Sequence, residues 1–367
     1  MLKGVRIVEI EGLGPGPFAA MLLADLGADV IVVHRKGSAG ITEKALIDRG
    51  KRSIALDLKD TGDIAIFRKL VTRADGLIEG FRPGVMERLG IGPVECQALN
   101  PGLVFGRMTG WGQDGPLSEV AGHDLNYISM SGALWYASEP GAAPLTPPTL
   151  VGDIGGGAMY LAVGMLAGIL NARGSGQGTV VDAAIYDGSA HMMNLILTMR
   201  QSGQFATARG SSILDGPHWC RTYRTGDGGY MSVQCLEPKF YAIFIDLLGL
   251  ADDPDFAQQF DQSRWPTLTD RLTGMFAGKS RDEWEAIFLG TDACVAPVLN
   301  PQEALSHPQN AARNTWSEAD GVLQAAPAPR FAGQTPWVPA SRPDRDQHRQ
   351  DILSELAGDL SDDCEES

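Results

Sequence analysis

An alternation of strand-like and helix-like segments, beginning within the first ten residues, constrains the fold of this chain most strongly. Residues 5–10 are typical of a buried strand, 11–17 of a loop rich in glycine and proline, 18–26 of a helix, and 29–33 of a second strand. This order predicts a parallel sheet with right-handed crossovers. Further strands are predicted at 53–56, 76–79 and 103–108, with a helix at 64–72.

The pattern changes in the second half of the chain. Residues 222–233 predict a hairpin, and helices are predicted at 240–248, 265–276 and 284–288. We therefore predict an α/β fold with a large Rossmann-like parallel-sheet domain over residues 1–190, completed by residues 315–367. A smaller α+β domain is predicted over residues 215–310. Residues 327–343 are expected to be extended because they are rich in proline, and the acidic end at 359–367 is expected to fray.

Charge and cysteine content exclude several classes of protein. A formal net charge of −15 argues against a nucleic-acid binder, although a few arginines can still hold an anionic ligand. Five separated cysteines without a C-x-x-C pair argue against a disulfide framework or a zinc site and favour a cytoplasmic protein. No signal peptide is expected, and the Gly- and Ala-rich stretch 154–172 predicts a closely packed buried helix rather than a membrane anchor. We expect no metal, no nucleic acid and no membrane among its partners.

Two polar segments could carry chemistry. One is Gly122-His123-Asp124-Leu125-Asn126-Tyr127, and the other is Gly152-Asp153-Ile154-Gly155-Gly156-Gly157, with a carboxylate at the start of an apolar helix. Taken alone, Asp153 could be a helix N-cap and His123 a structural histidine. The loop Gly12-Leu13-Gly14-Pro15-Gly16 departs from G-x-G-x-x-G in its third glycine, so we interpret it as a plain strand-to-helix turn.

The chain resembles the family III CoA transferases, and within them the α-methylacyl-CoA racemases, nearly from end to end. The segments that carry the resemblance follow one another in family order. They are Gly14 to Met21, Ala24 to Val30, Leu56 to Lys59, Arg82 to Val85, Thr109 to Gln113, Ala121 to Asp124, Gly152-Asp153, Leu214 to Gly216, Glu237-Pro238 and Thr291 to Cys294.

The resemblance implies an interlocked homodimer in which one subunit's large domain and the other's small domain form each active site. It implies that His123 and Asp153 transfer protons and that Glu237 orients the histidine. Coenzyme A belongs to the substrate, and no separate cofactor is implied. Arg35, Arg82 and Arg88 would pair with its phosphates. The implied coenzyme A contacts are Arg35, Leu56, Asp57, Leu58, Lys59, Gly80, Phe81, Arg82, Arg88, Gly122, His123, Asp124, Leu125, Asn126 and Tyr127.

The implied function is racemisation of 2-methylacyl-CoA thioesters in lipid metabolism, by proton transfer through an enolate. Inversion needs a base on one face of the α-carbon and an acid on the other. The unperturbed pKa of histidine is about 6.5, whereas that of aspartate is about 3.9, so burial must raise the pKa of Asp153 for it to act as an acid. The backbone N–H of Asp153 is the predicted donor to the enolate oxygen, and the glycines after it are expected to let the substrate approach.

Two alternatives stay open. The chain could transfer CoA between carboxylic acids, with Asp153 as the nucleophile that forms an acyl anhydride. It could also be an inactive protein that binds CoA thioesters. Transferases of the family generally lack the histidine of the Gly-His-Asp motif, so His123 favours the racemase. The chain departs from the racemase pattern at Pro217-His218-Trp219-Cys220 and Cys235-Leu236, near the expected acyl group, whose identity the sequence leaves undetermined.

Overall fold

A computed structural model describes residues 1–40, 44–333 and 337–358, so the predicted frayed end at 359–367 lies outside the described residues. The chain forms two compact units. The first comprises Met1–Leu134, Thr146–Met192 and the described residues from Asn314 onward, and the second comprises Trp135–Leu145 and Met193–Arg313. The stretch 135–145, which interrupts the first unit in sequence, therefore belongs to the second.

The regular elements are defined by their backbone hydrogen bonds. The strands are β1 (Arg6–Ile10), β2 (Asp29–Arg35), β3 (Arg52–Leu56), β4 (Gly76–Glu79), β5 (Val104–Thr109), β6 (Val180–Ala184), β7 (Cys220–Arg224), β8 (Tyr230–Gln234), β9 (Val295–Pro297), β10 (Trp316–Ala319) and β11 (Val322–Ala325). The helices are α1 (Pro15–Asp25), α2 (Thr61–Val71), α3 (Val85–Arg88), α4 (Pro93–Leu99), α5 (Asp124–Met130), α6 (Met159–Ser175), α7 (Ile185–Met192), α8 (Asn194–Gln201), α9 (Pro238–Leu247), α10 (Trp265–Phe276), α11 (Arg281–Phe288), α12 (Pro301–Ser306), α13 (Pro308–Arg313) and α14 (Arg349–Gly358). A 3₁₀ turn spans Leu46–Asp48, and a π-helical segment spans Leu150–Ala158.

The first unit is built on a six-stranded sheet. Its strands lie in the order β3-β2-β1-β4-β5-β6, and every neighbouring pair is parallel. The order reverses between β1 and β4, and open α/β sheets bind ligands beyond the carboxyl ends of the strands at such a point. The predicted parallel sheet is confirmed, with β1 to β5 near their predicted positions. The sequence did not predict β6, because its first three residues remain partly or fully exposed and its side chains mix valine with Asp182.

Helices cover both faces of this sheet, so its central strands β1 and β4 are almost entirely buried. On one face, Leu23 of α1 and Met165 of α6 pack beside Val104. On the other face, Phe67 of α2 packs together with Ile352 of α14. The contact of α14 shows why the C-terminal part of the chain belongs to the first unit.

The second unit has its own aromatic core. The predicted hairpin is confirmed as the antiparallel pair β7 and β8, and β9 extends it to a three-stranded sheet. The rings of Tyr223 and Phe276 stack with their centroids 4.8 Å apart, so α10 is held against β7. Trp219 is fully buried, and its indole N–H donates to the carbonyl of Gln259.

The helical stretch Leu150–Ser175 is the described part of the chain that is long and apolar enough to cross a membrane, judged by length and composition. Leu161, Met165 and Ile169 on one side of it lie in the core of the first unit. Small residues bring this helix close to the sheet, since a Cβ added at Gly168 would lie 2.7 Å from a methyl carbon of Val104. The close packing through small residues was predicted from the sequence.

Candidate active site

The segment that carries Asp153 begins with π-helical turns. The N–H of Ile154 donates to the carbonyl of Thr149 at 3.0 Å, five residues back, and the N–H of Met159 donates in the same way to Ile154. Thr149 occupies the capping position in a left-handed conformation, with φ of 60°. The N-cap interpretation of Asp153 is therefore wrong, because the helix begins three residues earlier and places its carboxyl in the first turn.

The glycines after Asp153 serve packing. A Cβ on Gly188 of α7 would lie 1.9 Å from the carbonyl oxygen of Gly156, so two backbones touch where these glycines meet. Gly157 is also closely packed, although less so, with a Cβ position 2.9 Å from a side-chain carbon of Ile185. Both Gly156 and Gly157 are buried. The expectation that these glycines admit substrate is wrong for Gly156 and Gly157, which instead let α7 support the π-helical segment.

His123 stands at the N-cap of α5. Its backbone is extended, and its own N–H donates to the side-chain oxygen of Asn126 at 3.0 Å. This bond satisfies a backbone donor at the helix start and fixes the chain direction there. The imidazole itself is exposed, so a ligand can reach it.

Asp124 joins the two segments. Its carboxylate is buried, and Oδ1 accepts the backbone N–H of Asp153 at 2.9 Å. The prediction that this N–H stabilises an enolate is wrong, because the donor is already committed to a charged acceptor. The resemblance implied a coenzyme A contact at Asp124, but in the structure its side chain faces the Asp153 backbone. The sequence hint was an aspartate at the first position of a helix, directly after the histidine.

The carboxyl of Asp153 has a perturbed titration. Burial and, after it, the negative charge of Asp124 together raise its pKa to about 6, and His123 opposes both. The carboxyl also lies against the loop after β1, where a Cβ on Gly14 would approach Oδ2 within 3.5 Å. Gly14, which the sequence analysis placed in a strand-to-helix turn, therefore borders the candidate site. An aspartate in this environment can hold or release a proton near neutral pH.

Tyr127 packs between the histidine segment and Trp111, which follows β5. Its hydroxyl donates to the carbonyl of Gly122, and its ring meets that of Trp111 edge-on at 4.8 Å. Burial raises the pKa of the Tyr127 hydroxyl, the Asp153 charge adds to this, and Arg82 opposes it. Arg82 and Asp153 thus both act electrostatically on the same tyrosine, which brings one predicted coenzyme A contact close to the proton-transfer groups.

The other predicted coenzyme A contacts follow neighbouring strands of the sheet. Arg35 ends β2, Leu56 ends β3, and Gly80 to Arg82 follow β4, so all lie at the carboxyl edge. The Leu56 side chain is buried in the core, and its carbonyl accepts the N–H of Lys36 at 3.1 Å. The exposed predicted contacts in this region are Arg35, Asp57, Lys59, Gly80, Arg82 and Arg88.

The loop after β4 is held by hydrogen bonds to the buried side chain of Glu79. The N–H of Phe81 donates to Glu79 Oε2 at 2.7 Å, and the other oxygen of Glu79 accepts from Arg107 at 3.1 Å. Glu79 is buried, which raises its pKa to about 7. This ion pair fixes the backbone from which Arg82 projects.

Glu237 belongs to the second unit. It is exposed and occupies the N-cap position of α9. Burial raises the pKa of the neighbouring Cys294 thiol, and the charge of Glu237 contributes to the same shift. The segment before it is held by Gln259, whose amide nitrogen donates to the carbonyls of Cys235 and Leu236 at 3.1 and 3.0 Å.

The two departures from the racemase pattern fall mainly in the core of the second unit. His218, Trp219 and Cys235 are buried, and the Nε2 of His218 lies 2.8 Å from the Tyr241 hydroxyl. Burial lowers the pKa of His218 to about 3, so it remains neutral. These three buried side chains pack among aromatic rings, and the position of the acyl group relative to them stays a prediction.

Within residues 1–40, 44–333 and 337–358, the structure contains no group of three or more histidine, cysteine, aspartate or glutamate side chains arranged to hold a metal ion. The candidate site combines one imidazole, that of His123, with the carboxyls of Asp124 and Asp153, and Asp124 accepts the backbone N–H of Asp153. The chemistry that this set supports directly is proton transfer.

Comparison with known proteins places the chain in a family. The model of the family described as CoA-transferase family III matches residues 2–349. The α-methylacyl-CoA racemases of Mus musculus and Homo sapiens are 40% and 39% identical over 359 residues, covering 97% of this chain and 93% of each relative. A CAIB/BAIF family protein from Brucella suis superimposes with a TM-score of 0.80 at 25% identity, covering 97% of this chain and 99% of the other.

Proposed function

Since the chain belongs to CoA-transferase family III, we propose that it racemises 2-methylacyl-CoA thioesters at the α-carbon. The observation that carries the proposal is the pairing of an accessible imidazole with a carboxyl whose pKa is raised to about 6, held together through Asp124. The racemases of mouse and human, about 40% identical over nearly the whole chain, support the same activity.

The reaction is a two-base proton transfer. One of His123 and Asp153 removes the α-proton, and the electron pair of the C–H bond moves through the thioester to give an enolate. The other group then donates its proton to the opposite face of the α-carbon. A carboxyl with a pKa near neutrality suits both halves, because it is neither too weak a base nor too weak an acid. The enolate oxygen takes its hydrogen bond from a donor other than the Asp153 N–H, which Asp124 occupies.

The exposed arginines at the carboxyl edge of the sheet are the proposed phosphate partners of coenzyme A. Arg35, Arg82 and Arg88 lie on an otherwise acidic protein and offer planar donors to phosphate oxygens. The Glu79–Arg107 pair beneath the loop keeps Arg82 in place. Glu237, in the second unit, is the proposed orienting group for the histidine on the basis of the family resemblance.

The proposed homodimer rests on an apolar stripe of α6. Met159, Val163 and Leu170 are exposed and lie within one side of the helix, because their spacing of four and seven residues returns to the same face. An uncovered stripe on a helix that is also buried on its other side favours contact with a second copy of the chain.

The four described cysteines are free thiols, which supports a reducing, cytoplasmic location.

One experiment separates the racemase from a transferase. Enantiopure 2-methylacyl-CoA is incubated with the protein in deuterated water, and both deuterium at the α-carbon and stereochemical purity are followed. A racemase introduces deuterium and loses purity, and hydroxylamine leaves it active. A transferase introduces no deuterium, and hydroxylamine intercepts the Asp153 anhydride and inactivates it. An inactive binder gains thermal stability from acyl-CoA without either reaction.

The pH dependence of exchange follows from the Asp153 carboxyl. It must lose its proton to act as a base, and its pKa is raised to about 6. For the enantiomer whose proton Asp153 removes, the rate is expected to fall about tenfold for each pH unit below pH 6 and to level off above it. Initial rates of deuterium entry between about pH 4.5 and 8 measure this. A midpoint near the ordinary aspartate value of about 3.9 would contradict the assignment.

A further inference from the structure

Asp124 occupies a place that is costly for a carboxylate. It is only 7% exposed, and it lies close enough to Asp153 for the two negative charges to repel. Burying a charge costs free energy unless hydrogen bonds compensate, and a second carboxyl nearby adds to the cost. A packing role alone would be met better by an apolar or amide side chain. The position of Asp124 therefore suggests a function for its charge.

The backbone of the Gly152-Asp153 segment is shaped around this carboxylate. A Cβ on Gly152 would lie 2.4 Å from Asp124 Oδ1 and 2.8 Å from a methyl carbon of Ile128. The absence of a side chain at position 152 lets the Asp153 N–H come within 2.9 Å of Oδ1. The contact spans 29 residues and ties α5, which His123 caps, to the segment that carries Asp153.

We propose that Asp124 is a positioning residue that fixes Asp153 relative to His123 through the Asp153 N–H and places a fixed negative charge beside the Asp153 carboxyl. The proposal rests on the two-base function above and deepens it. Asp124 itself transfers no proton, because its side chain is buried and faces the peptide backbone. It acts by geometry through one oxygen and by electrostatics through its charge.

The charge has a specific consequence for Asp153. Negative charge beside a carboxyl disfavours its ionised form, so Asp124 makes Asp153 a stronger base and a proton donor closer to neutral pH. The titratable groups that interact with Asp153 from α5 and its cap are Asp124 and Tyr127 on the helix and His123 at the N-cap. The loop before α1 presents Gly14, and α7, which carries Asp187 and His191, meets the π-helical segment through Gly188. Of the described residues, only Asp124 and His123 shift the pKa of Asp153 by their charge.

Two variants separate geometry from charge. Asp124→Asn keeps an oxygen that accepts the Asp153 N–H and has nearly the same volume, but it removes the charge. Asp124→Ala removes both. We expect Asp124→Asn to move the acidic limb of the exchange profile to lower pH, toward the ordinary aspartate value. We expect Asp124→Ala to lower the plateau rate as well, by about 10²-fold, because a loosened catalytic group loses its alignment.

A second measurement does not depend on activity. The carboxyl carbon of Asp153 is titrated by ¹³C NMR in the wild type and in Asp124→Asn, with Asp153→Asn identifying the resonance. A lower midpoint in Asp124→Asn supports the electrostatic role even where the alanine variant fails to fold. An unchanged midpoint overturns that role, and wild-type exchange rates in Asp124→Ala overturn the positioning role. Failure of the proposed function looks different, since the wild type would show the raised midpoint but no exchange with any 2-methylacyl-CoA.

Discussion

Asp153→Asn is expected to lower the rate at which 2-methylacyl-CoA inverts by about 10²–10⁴-fold. The amide fills the space of the carboxyl but neither accepts nor returns a proton at working pH. The surroundings are expected to stay the same, because the amide can lie beside Gly14 as the carboxyl does, and the backbone N–H of residue 153 stays bonded to Asp124. Chiral analysis of the recovered thioester measures inversion directly.

Asp320→Asn is the matched control. The side chain of Asp320 is 89% exposed, and the residue has a φ of 52° in the turn between β10 and β11, which asparagine also tolerates. Its inversion rate should equal that of the wild type. In Asp153→Asn, deuterium entering one enantiomer without inversion would assign His123 to that face. Full inversion in Asp153→Asn would remove this residue from the mechanism.

Gly188→Ala is expected to lower the free energy of unfolding of the first unit by about 3 kcal/mol. The new methyl group would lie 1.9 Å from the carbonyl oxygen of Gly156 and 2.8 Å from its carbon, and a backbone cannot move aside as a flexible side chain can. Relief requires α7 to separate from the π-helical segment, which displaces Asp153. The free energy of unfolding, measured by urea titration, and the inversion rate are therefore both expected to fall.

Gly174→Ala provides the comparison within the same unit. Gly174 lies near the end of α6 with nothing within 4 Å of an added Cβ. Alanine is the better helix former, so this variant should gain about 0.5–1 kcal/mol. Equal stability of the two alanine variants would show that the contact between Gly188 and Gly156 is not required for folding.

The fold of the first unit follows closely from local patterns. The strand β2, for example, contains the run Val30 to Val33, whose buried branched side chains fit a sheet covered on both faces. Three helices of the second unit, α9, α10 and α11, were likewise predicted; in α10, for example, Trp265, Leu268 and Leu272 recur on one face. The sequence did not predict that residues 135–145 join the second unit, because that assignment depends on contacts such as the Trp135 indole with the carbonyl of Thr207.

His123 and Asp153 were identified from the sequence because residue types and the order of motifs can be read there directly. The contacts around these two residues cannot. Whether Asp153 caps a helix or lies inside one depends on where the π-helical turns begin, and Gly188, 35 positions later, decides how closely they pack. Whether its N–H is free depends on a carboxylate 29 positions earlier. Local sequence determines which backbone conformations are favourable and which faces are buried. Hydrogen bonds and charges between distant residues arise only after those faces have packed, so the tertiary structure alone decided the acidity and alignment of the site.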